Sequence, residues 1–414
     1  MQILVVTSTY PSPIRPRQGA FNRVMVDALR RNHRVAVISP MPWTQLSWRQ
    51  MVMGQAAREA EFATADQDAF FPVSYYPPKI LRSLYHQFYW RSMRACLSRL
   101  PSDFRPDVVL GYWLHPDGDA AVRSARHFDV PAVVMSGGTD LKILAQNATR
   151  RKAITGVIDA ADRLVVLSRE LACRAESLEV KSSKIDVVFR GVDRDCFSPG
   201  DQAEARWKCG LAADEVVLLW AGRLEAVKNP MMVLRAALRW KQHWDAGFRL
   251  LIVGDGSLRN KLEAACAEFG LGGCVRFEGS LSQDELAIRY RAANATVLTS
   301  HSEGTPNVLL ESIACGTPFV ATDVGGVGDI ATSGIDCLVA DDDADGLARS
   351  TIEMVGRGIL VREREFVPND LDGMVGQLEE VFCRAMNSSG AQQYALNRVA
   401  IDEGPGPVAR RRAS

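Results

Sequence analysis

Two glutamates, Glu303 and Glu311, are placed where carboxylates could hold a polar ligand. Residues 295–299 are apolar and rich in β-branched side chains, which predicts a buried strand. Glu303 follows this strand at its carboxyl end, the edge at which open α/β sheets bind ligands. Glu311 lies farther on, about 7–8 Å along a predicted helix from Pro306, which suits one elongated ligand held at both ends. A simpler interpretation stays open, in which Glu303 is a first-turn acid favoured by the helix dipole and Glu311 a solvated helix residue.

The predicted helix that carries Glu311 has sequence signals at both ends. Thr305 is a hydroxyl N-cap, and Pro306 suits the first helical position. Gly316 stands where a left-handed residue ends a helix, and Phe319–Thr322 then predicts a second strand. Strand, helix and strand make a βαβ unit with parallel strands, and the free amides at the helix start could bind an anion.

Two candidate residues follow predicted strands in the first half of the chain. Gly19 lies in a loop rich in Pro and Arg after the strand 3–7, where a glycine could let a phosphate approach the backbone. His115 follows the strand 107–112 and is well placed for a ligand, although lone histidines are usually structural. Both residues are candidates on these grounds.

The alternation of strands and helices starts again in the second half of the chain. The strand Val216–Ala221 is followed by Gly222 and Arg223, and Lys228 comes five residues after Arg223. Two parallel sheets joined near residues 192–200 predict an α/β protein of two similar, doubly wound domains. Loops from the carboxyl ends of both sheets would line a cleft between them.

The composition is that of a soluble globular protein. The 414 residues, 47% of them hydrophobic and 24% charged, suit two or three domains with substantial cores. The formal net charge is zero, so overall charge points to no nucleic-acid partner. Residues 1–6 lack the basic segment and the length of a signal peptide, and no stretch approaches the roughly 18 apolar residues that a membrane span needs.

No cluster of side chains predicts a metal site or a disulfide. The nine cysteines occur singly, without a Cys-x-x-Cys pair or a histidine at zinc spacing, which favours reduced thiols in a cytoplasmic protein. Asp341, Asp342, Asp343 and Asp345 precede a predicted helix over residues 347–355. We interpret these acids as loop and helix-capping residues and expect no metal.

A basic and aromatic stretch covers residues 70–102. It has no acidic residue, while five Lys or Arg side chains interleaved with aromatic rings give it a charge of +5. Such a stretch could dock on an anionic membrane, which would make the protein peripheral to the inner face of the plasma membrane. It could instead form a helix whose aromatic side chains face the core and whose basic face is solvated.

Together these motifs resemble those of a known family. The second half matches best, at Gly222-Arg223-Leu224, Lys228-Asn229-Pro230, the Glu-x7-Glu pattern from Glu303 to Glu311, Cys315-Gly316-Thr317-Pro318 and Asp323-Val324-Gly325-Gly326. The first half matches more loosely, at Gly19, His115, Gly138-Thr139-Asp140, Gly191-Val192-Asp193 and Phe197-Ser198-Pro199. The chain thus resembles the retaining GT-B glycosyltransferases of family 4 (glycosyl transferases group 1). The resemblance implies two Rossmann-like domains that face each other across a cleft.

The resemblance also implies a donor site, made of Gly19, Gly222, Arg223, Lys228, Glu303, Gly304, Thr305, Pro306, Asn307 and Glu311. Arg223 and Lys228 would neutralise the donor diphosphate, so that neither a metal nor another cofactor is required. Glu303 would bind the donor sugar, and Glu311 would accept hydrogen bonds from ribose hydroxyls.

Four residues would be catalytic by the same resemblance: His115, Glu303, Arg223 and Lys228. His115 would orient the sugar, and Gly19 would let the loop of the first domain reach the diphosphate. The leaving phosphate itself would take the acceptor's proton on the same face of the sugar, so no separate base is expected.

The implied function is hexosyl transfer from a nucleotide diphosphate sugar to a lipid-linked or growing glycan, as in surface polysaccharide or glycolipid assembly. The expected domains are 1–195 for the acceptor, 196–368 for the nucleotide sugar, a helix 369–386 that packs back towards the first domain, and a disordered tail 387–414. Two alternatives stay open: a nucleotide-sugar epimerase of the same fold, and a non-catalytic nucleotide-binding partner subunit.

Overall fold

The computed structural model of the chain describes residues 1–12, 14–16, 18–52, 68–77, 84–244, 247–358 and 364–388. It divides into two compact units, and each is built from more than one segment. The first unit comprises Met1–Val166, Arg174–Asp186 and Val375–Ser414, and the second comprises Leu167–Cys173 and Val187–Met374. Residues 389–414 of the predicted tail lie outside the described residues.

The first unit contains a seven-stranded sheet and a two-stranded one. Its strands are β1 (Gln2–Thr7), β2 (Arg34–Ile38), β3 (Met41–Pro42), β4 (Ala69–Phe70), β5 (Val73–Ser74), β6 (Val108–Tyr112), β7 (Ala132–Ser136), β8 (Arg163–Val166) and β9 (Ile185–Val187). The large sheet has the order β4-β2-β1-β6-β7-β8-β9, and β3 pairs with β5. In this spatial order, each strand from β4 to β8 pairs with its neighbour in parallel.

The helices of the first unit cover this sheet. They are Ala20–Leu29, Trp48–Val52, Tyr85–Leu97, Asp119–Phe128, Thr139–Lys142 and Ala148–Ala160. Two further helices, Arg169–Glu176 and Leu371–Asn387, belong partly to each unit. The last one runs one residue beyond the predicted end at 386, so the first residue of the predicted tail, Asn387, is helical.

Part of the basic aromatic stretch forms the amphipathic helix Tyr85–Leu97. Tyr89 and Met93 are buried in it, whereas Arg91 and Arg94 are exposed to solvent. This is the geometry of a core-facing helix with a solvated basic face. Lys79 and Arg82, which contribute to the predicted charge, lie outside the described residues.

The second unit contains a six-stranded parallel sheet. Its strands are β10 (Val216–Ala221), β11 (Phe248–Val253), β12 (Val275–Gly279), β13 (Ala295–Leu298), β14 (Phe319–Thr322) and β15 (Cys337–Val339). Their spatial order is β12-β11-β10-β13-β14-β15. The direction of winding therefore reverses between β10 and β13, where doubly wound sheets form a ligand crevice.

Helices cover both faces of this second sheet: Gln202–Cys209, Pro230–Trp244, Arg259–Glu268, Gln283–Ala292, Asn307–Ala314 and Ala344–Arg357. Neighbouring residues of a strand point to opposite faces. Trp220 of β10 thus packs in one core with Trp240, while the preceding Leu219 packs in another with Leu310. Because both faces are buried, the strands are continuous apolar runs rather than alternating ones.

The helix that carries Glu311 begins one residue later than its sequence signals predict. It extends over Asn307–Ala314, and Pro306 occupies the N-cap position. Thr305 does not cap the helix, because its hydroxyl donates instead to the carbonyl oxygen of Leu167. The predicted left-handed end is confirmed, since Gly316 has a φ of 84°.

Asp343 is a helix cap, as predicted for the acidic cluster. Its carboxylate accepts a hydrogen bond from the amide of Gly346 at the start of Ala344–Arg357.

Within the described residues, we find no helix whose length and hydropathy would allow it to span a lipid bilayer.

Candidate active site

The predicted binding residues of the second unit gather at the switch point between β10 and β13. Trp220, near the end of β10, donates its indole N–H to the hydroxyl of Thr299, just after β13. The same hydroxyl lies 3.0 Å from the carbonyl oxygen of Lys228 and 2.9 Å from that of Asn229. These buried contacts fix the Lys228 segment against the carboxyl ends of both strands.

Lys228 and Glu303 form an ion pair at this edge of the sheet. The Nζ atom of Lys228 lies 2.5 Å from Oε1 of Glu303, and the hydroxyl of Ser300 donates to the same oxygen at 2.5 Å. Glu303 is only 9% exposed, whereas Lys228 keeps more of its side chain in solvent. A carboxylate held by a cation and a hydroxyl is preorganised to bind ligand hydroxyls.

Glu311 is hydrogen-bonded to a buried tyrosine and is not simply a solvated helix residue. The hydroxyl of Tyr290 donates to Oε2 of Glu311 at 3.0 Å. Burial raises the pKa of Glu311 from about 4.5 to about 7, although the hydrogen bond from Tyr290 opposes this shift. The same burial, with Glu311 beside it, raises the pKa of Tyr290 well above its ordinary value.

The loop after β10 passes very close to the loop after β11. Gly254 has a φ of 125°, and a Cβ on it would lie 1.9 Å from the carbonyl oxygen of Gly222. A Cβ on Gly256 would lie 2.6 Å from the carbonyl oxygen of Leu224. Only glycine fits at these two positions of the turn. Arg223, between the two contacts, is exposed. Hydrogen bonds from Ser257, with a smaller contribution from the charge of Arg223, lower the pKa of nearby Glu225.

The loop that carries Glu303 is held at the start of the following helix. The amide of Gly326 donates to the carbonyl oxygen of Gly304 at 2.7 Å, and a Cβ on Gly326 would collide with that oxygen. The helix Asn307–Ala314 has no acidic residue in its first turn. The positive end of its dipole is therefore available to an anion near Glu303.

In the first unit, Gly19 lies beside the loop that follows β1. It precedes the helix Ala20–Leu29 with a φ of 73°, and a Cβ there would lie 2.1 Å from the carbonyl oxygen of Thr9. That carbonyl also accepts a hydrogen bond from Asn22 at 2.7 Å. A larger residue than glycine would displace the loop, whatever else the loop contacts.

His115 follows β6 and is half-buried. Its ring lies 5.5 Å from that of His86, and Nε2 has no hydrogen-bond partner among the described residues. Burial, together with His86 and Arg150, lowers the pKa of His115 to about 4. A neutral imidazole at physiological pH can donate or accept one hydrogen bond through its free nitrogen.

Two buried aspartates brace the loops around His115. Asp117 accepts hydrogen bonds from the amide and the hydroxyl of Ser8, at 2.7 and 2.8 Å. Asp140 accepts one from the amide of Leu114 at 3.0 Å. Burial raises the pKa of each aspartate to about 7. The sequence indicated Asp140 only as part of the Gly138-Thr139-Asp140 motif, and it did not indicate Asp117, because a long-range hydrogen bond has no local sequence pattern.

Trp113 is another residue that sequence reasoning overlooked. It follows β6 directly and has a φ of 85°, a backbone conformation that bulky residues seldom adopt. Its indole N–H donates to the hydroxyl of Thr9 at 2.8 Å, which ties the loop after β6 to the loop after β1. Strain of this kind is typical of functional sites.

The structure thus places the predicted residues in two groups. The second unit contains Gly222, Arg223, Lys228, Glu303, Gly304, Thr305, Pro306, Asn307 and Glu311, and the first contains Gly19 and His115. The group in the second unit offers cations, a helix N-terminus and carboxylates, which together suit a ligand with phosphates and hydroxyls.

Two family models match the chain. Residues 18–195 match Glycosyltransferase Family 4, and residues 201–360 match Glycosyl transferases group 1. The D-inositol 3-phosphate glycosyltransferase of Mycobacteroides abscessus is 36% identical over 230 residues, which are 52% of this chain and 50% of that protein. The chain spans about half the length of the curated relatives it matches.

Solved structures share the fold over nearly the whole chain. Sucrose-phosphate synthase from Thermosynechococcus elongatus superposes with a TM-score of 0.67 at 19% identity. The match covers 98% of this chain and 100% of the synthase chain. Anabaena HepE in complex with UDP superposes with a TM-score of 0.65 at 14% identity. The match covers 97% of this chain and 100% of the HepE chain. These similarities confirm the predicted α/β fold with two Rossmann-like domains.

Proposed function

The chain belongs to the GT-B glycosyltransferases, and from this premise we propose that it moves a sugar from a nucleoside diphosphate sugar to an acceptor with retention of anomeric configuration. The observation that carries the proposal is the Lys228–Glu303 ion pair at the switch point of the second sheet. A carboxylate for sugar hydroxyls and a cation for phosphate stand there side by side. Anabaena HepE, which has the same fold, was solved in complex with UDP, which supports a nucleotide as the ligand.

The proposed roles follow from the chemistry of each group. Arg223 and Lys228 stabilise the charge that develops on the departing diphosphate, which allows the reaction to proceed without a metal. Glu303 holds the donor sugar, and Glu311 accepts hydrogen bonds from the ribose. Gly19 admits the diphosphate to the backbone of the first unit, and His115 orients the sugar.

Transfer is then a substitution at the anomeric carbon. The acceptor hydroxyl oxygen forms the new glycosidic bond, while the bond between that carbon and the diphosphate oxygen breaks. The hydroxyl proton passes to the departing phosphate on the same face of the sugar. Glycoside and nucleoside diphosphate are the products, so atoms and charge balance without a separate base.

For the acceptor, we propose a lipid-linked or growing glycan, or a phosphorylated polyol. The first follows from the resemblance in the sequence, and the second from the relatives, which are D-inositol 3-phosphate glycosyltransferases. Contact with an anionic membrane belongs to the same proposal. Arg91, Arg94 and Arg99 are exposed at the helix Tyr85–Leu97 and the turn after it. Failure to co-sediment with phosphatidylglycerol vesicles at low salt would remove this part.

The test is a thermal-shift titration of the full chain with UDP, GDP and ADP, each with Mg²⁺ and with EDTA. A nucleotide at about 100 times its dissociation constant should add about 2.7 kcal/mol to the free energy of unfolding. One nucleotide that stabilises the protein equally in EDTA is the expected result.

The alternatives give different results. If no nucleotide shifts the melting temperature, the transferase proposal fails. If the stabilisation requires Mg²⁺, the metal-independent roles of Arg223 and Lys228 are wrong. An epimerase would interconvert nucleotide sugars in the absence of any acceptor, which chromatography of the donor after incubation would detect.

A further inference from the structure

Tyr290 is the buried partner of Glu311 in the second unit. Its side chain has no exposed surface, and its hydroxyl donates to Oε2 of Glu311 at 3.0 Å. Glu311 itself keeps some exposed surface, and its other oxygen, Oε1, forms no hydrogen bond within the described part of the chain. A ligand can therefore reach one oxygen of this carboxyl while the protein holds the other.

Three contacts fix the position of Tyr290. Its backbone carbonyl oxygen accepts a hydrogen bond from the hydroxyl of Thr317 at 2.7 Å. Its ring packs edge-on against Phe197, with the ring centroids 6.1 Å apart. The next residue, Arg291, donates to two carbonyl oxygens of the segment 196–198, each at 2.8 Å. The tyrosine hydroxyl is thus held in place before any ligand arrives, which is the condition for preorganised binding.

Among the charged and titratable groups that the structure describes around Glu311, only this carboxyl changes its charge near neutral pH. The others are Tyr290, Cys196, Cys315, Arg194 and Arg291. Burial raises the pKa of Tyr290 well above its ordinary value and raises that of each thiol to about 12, so these three groups stay neutral. Arginine keeps its charge at any physiological pH. Burial raises the pKa of Glu311 only to about 7, so this group alone responds to a mild change in pH.

The hydroxyl of Tyr290 favours the charged form of this carboxyl. A hydrogen bond donated to a carboxylate stabilises it relative to the neutral acid, and this bond opposes the effect of burial on the pKa of Glu311. The carboxylate in turn accepts stronger hydrogen bonds from hydroxyl groups than the neutral acid does. Tyr290 can therefore affect a ligand that contacts only Glu311.

We propose that Tyr290 is a positioning residue for the nucleotide: it holds Glu311 in the orientation and the charged form that accept hydrogen bonds from the ribose, and donor binding weakens when that charge is lost. The inference rests on the proposed function, which assigns the ribose contact to Glu311. The carboxylate prevails above about pH 7 and the neutral acid below it. Nucleotide binding should therefore be strong on the alkaline side of this value and weaken on the acidic side.

The test is calorimetric titration of the full chain with UDP, GDP and ADP over a range of pH. The charged fraction of a carboxyl with a pKa of about 7 falls from about nine-tenths at about pH 8 to about one-tenth at about pH 6. The affinity of the wild type for the nucleotide that binds should fall about 10-fold over this range. Because phosphates also titrate, with a pKa of about 6, the same titrations are made with Glu311→Gln, in which only the contribution of the phosphates remains.

Tyr290→Phe tests the positioning role and keeps the ring that packs against Phe197. Without the hydroxyl, the pKa of Glu311 should rise further, so the pH at which half of the affinity is lost should move upward. Affinity should then return towards the wild-type value in more alkaline solution, whereas a purely structural effect would lower it by the same factor at every pH. The 2′-deoxy or the 3′-deoxy form of the nucleotide should abolish the difference between this variant and the wild type.

Thr351→Val is the matched control. It removes another buried hydroxyl of the second unit, one that donates to the carbonyl oxygen of Leu347 in its own helix. This variant should keep the affinity and the pH profile of the wild type even where it lowers stability.

The outcomes separate this inference from the proposed function. Nucleotide binding with parallel pH profiles for Tyr290→Phe and the wild type overturns the inference and leaves the transferase. So do identical profiles for Glu311→Gln and the wild type, a comparison that does not depend on the folding of Tyr290→Phe. Failure of UDP, GDP and ADP to bind at any pH overturns the proposed function and the inference with it.

Discussion

At the scale of single residues, the Lys228–Glu303 pair is the contact on which the proposed binding of the donor most depends. Lys228→Ala removes a cation that lies 2.5 Å from a buried carboxylate. We expect transfer to fall by about 10²- to 10³-fold, the usual cost of one electrostatic contact in a transition state. Glu303→Ala should lower transfer to a similar extent, because it removes the group that we propose holds the sugar. The readout is the rate of nucleoside diphosphate release from the donor.

A matched control uses another lysine of the same unit. Lys208 pairs with Glu204 on an exposed helix face, where both side chains are about half solvated. Lys208→Ala should therefore leave transfer unchanged and alter stability little. Full activity in Lys228→Ala, with its circular dichroism spectrum intact, would refute the assignment of the donor site.

Glu311 makes the stability of the protein depend on pH. Burial raises its pKa from about 4.5 to about 7, so the folded protein binds this proton more tightly than the unfolded chain does. Its contribution to the free energy of unfolding is full below about pH 4.5 and is lost as the pH rises through about 7. Glu311→Gln should flatten the pH dependence of the denaturation midpoint in this window.

Glu268→Gln is the control, because Glu268 is exposed on the helix Arg259–Glu268. This variant should keep the wild-type profile between pH 4.5 and 7, the window that the pKa of Glu311 defines. Identical profiles for Glu311→Gln and the wild type would show that burial does not retain this proton.

The sequence identified Lys228, Glu303 and Glu311 because each lies at a predictable distance from a strand end. It could not identify Ser300 or Tyr290, which contact Glu303 and Glu311. Serine and tyrosine occur throughout the chain, and only the packing of the second unit brings these two to a carboxylate. Motifs thus indicate candidate binding residues, but they do not indicate the neighbours that hold those residues in place.

At the scale of elements, the crossing of two loops beside Arg223 is the most sensitive to side-chain size. A methyl group on Gly254 would lie 1.9 Å from the carbonyl oxygen of Gly222 and would need a φ of 125°. Gly254→Ala should therefore destabilise the second unit by roughly 1–3 kcal/mol. It should also weaken nucleotide binding, since the loop that carries Arg223 must move. Denaturant titration and the nucleotide thermal shift measure the two effects.

Gly272 provides the comparison within the same unit. A Cβ on it meets no atom within 4 Å, and its φ is not in the left-handed region. Gly272→Ala should leave both stability and nucleotide binding near their wild-type values. Equal behaviour of the two alanine variants would mean that the close approach of the loops is not required.

Strands were easier to predict than helix starts. The buried parallel strands are continuous apolar runs, so the limits predicted for them agree with the structure within one or two residues. The start at Thr305 and Pro306 was wrong because the carbonyl oxygen that takes the hydroxyl of Thr305 belongs to Leu167, 138 residues earlier in the chain. A capping motif of adjacent residues cannot predict a hydrogen-bond acceptor that lies so far away in the sequence.

At the scale of the whole molecule, the first unit depends on the final helix. Glu379 of Leu371–Asn387 lies 2.6 Å from Nε2 of His33, and Arg384 lies 2.9 Å from Asp186. Ending the chain after Met374 should therefore destabilise the first unit and leave hydrogen exchange slow in β10 and β13. Hydrogen exchange with mass spectrometry distinguishes the two units.

Ending the chain after Ser388 is the control, because it keeps every described residue of the helix. That variant should exchange as the full chain does. Unchanged protection of β1 and β6 in the shorter variant would show that the helix is dispensable for the first unit.

The same return of the chain sets the order in which the units can mature on the ribosome. Every residue of the second unit lies at or before Met374, whereas the first unit needs Val375 and the residues after it. The unit that is translated first is therefore completed last. During synthesis, the strands around β1 must wait for their final helix while the later-made sheet can already be finished, so nascent-chain binding factors would meet the amino-terminal unit for longer.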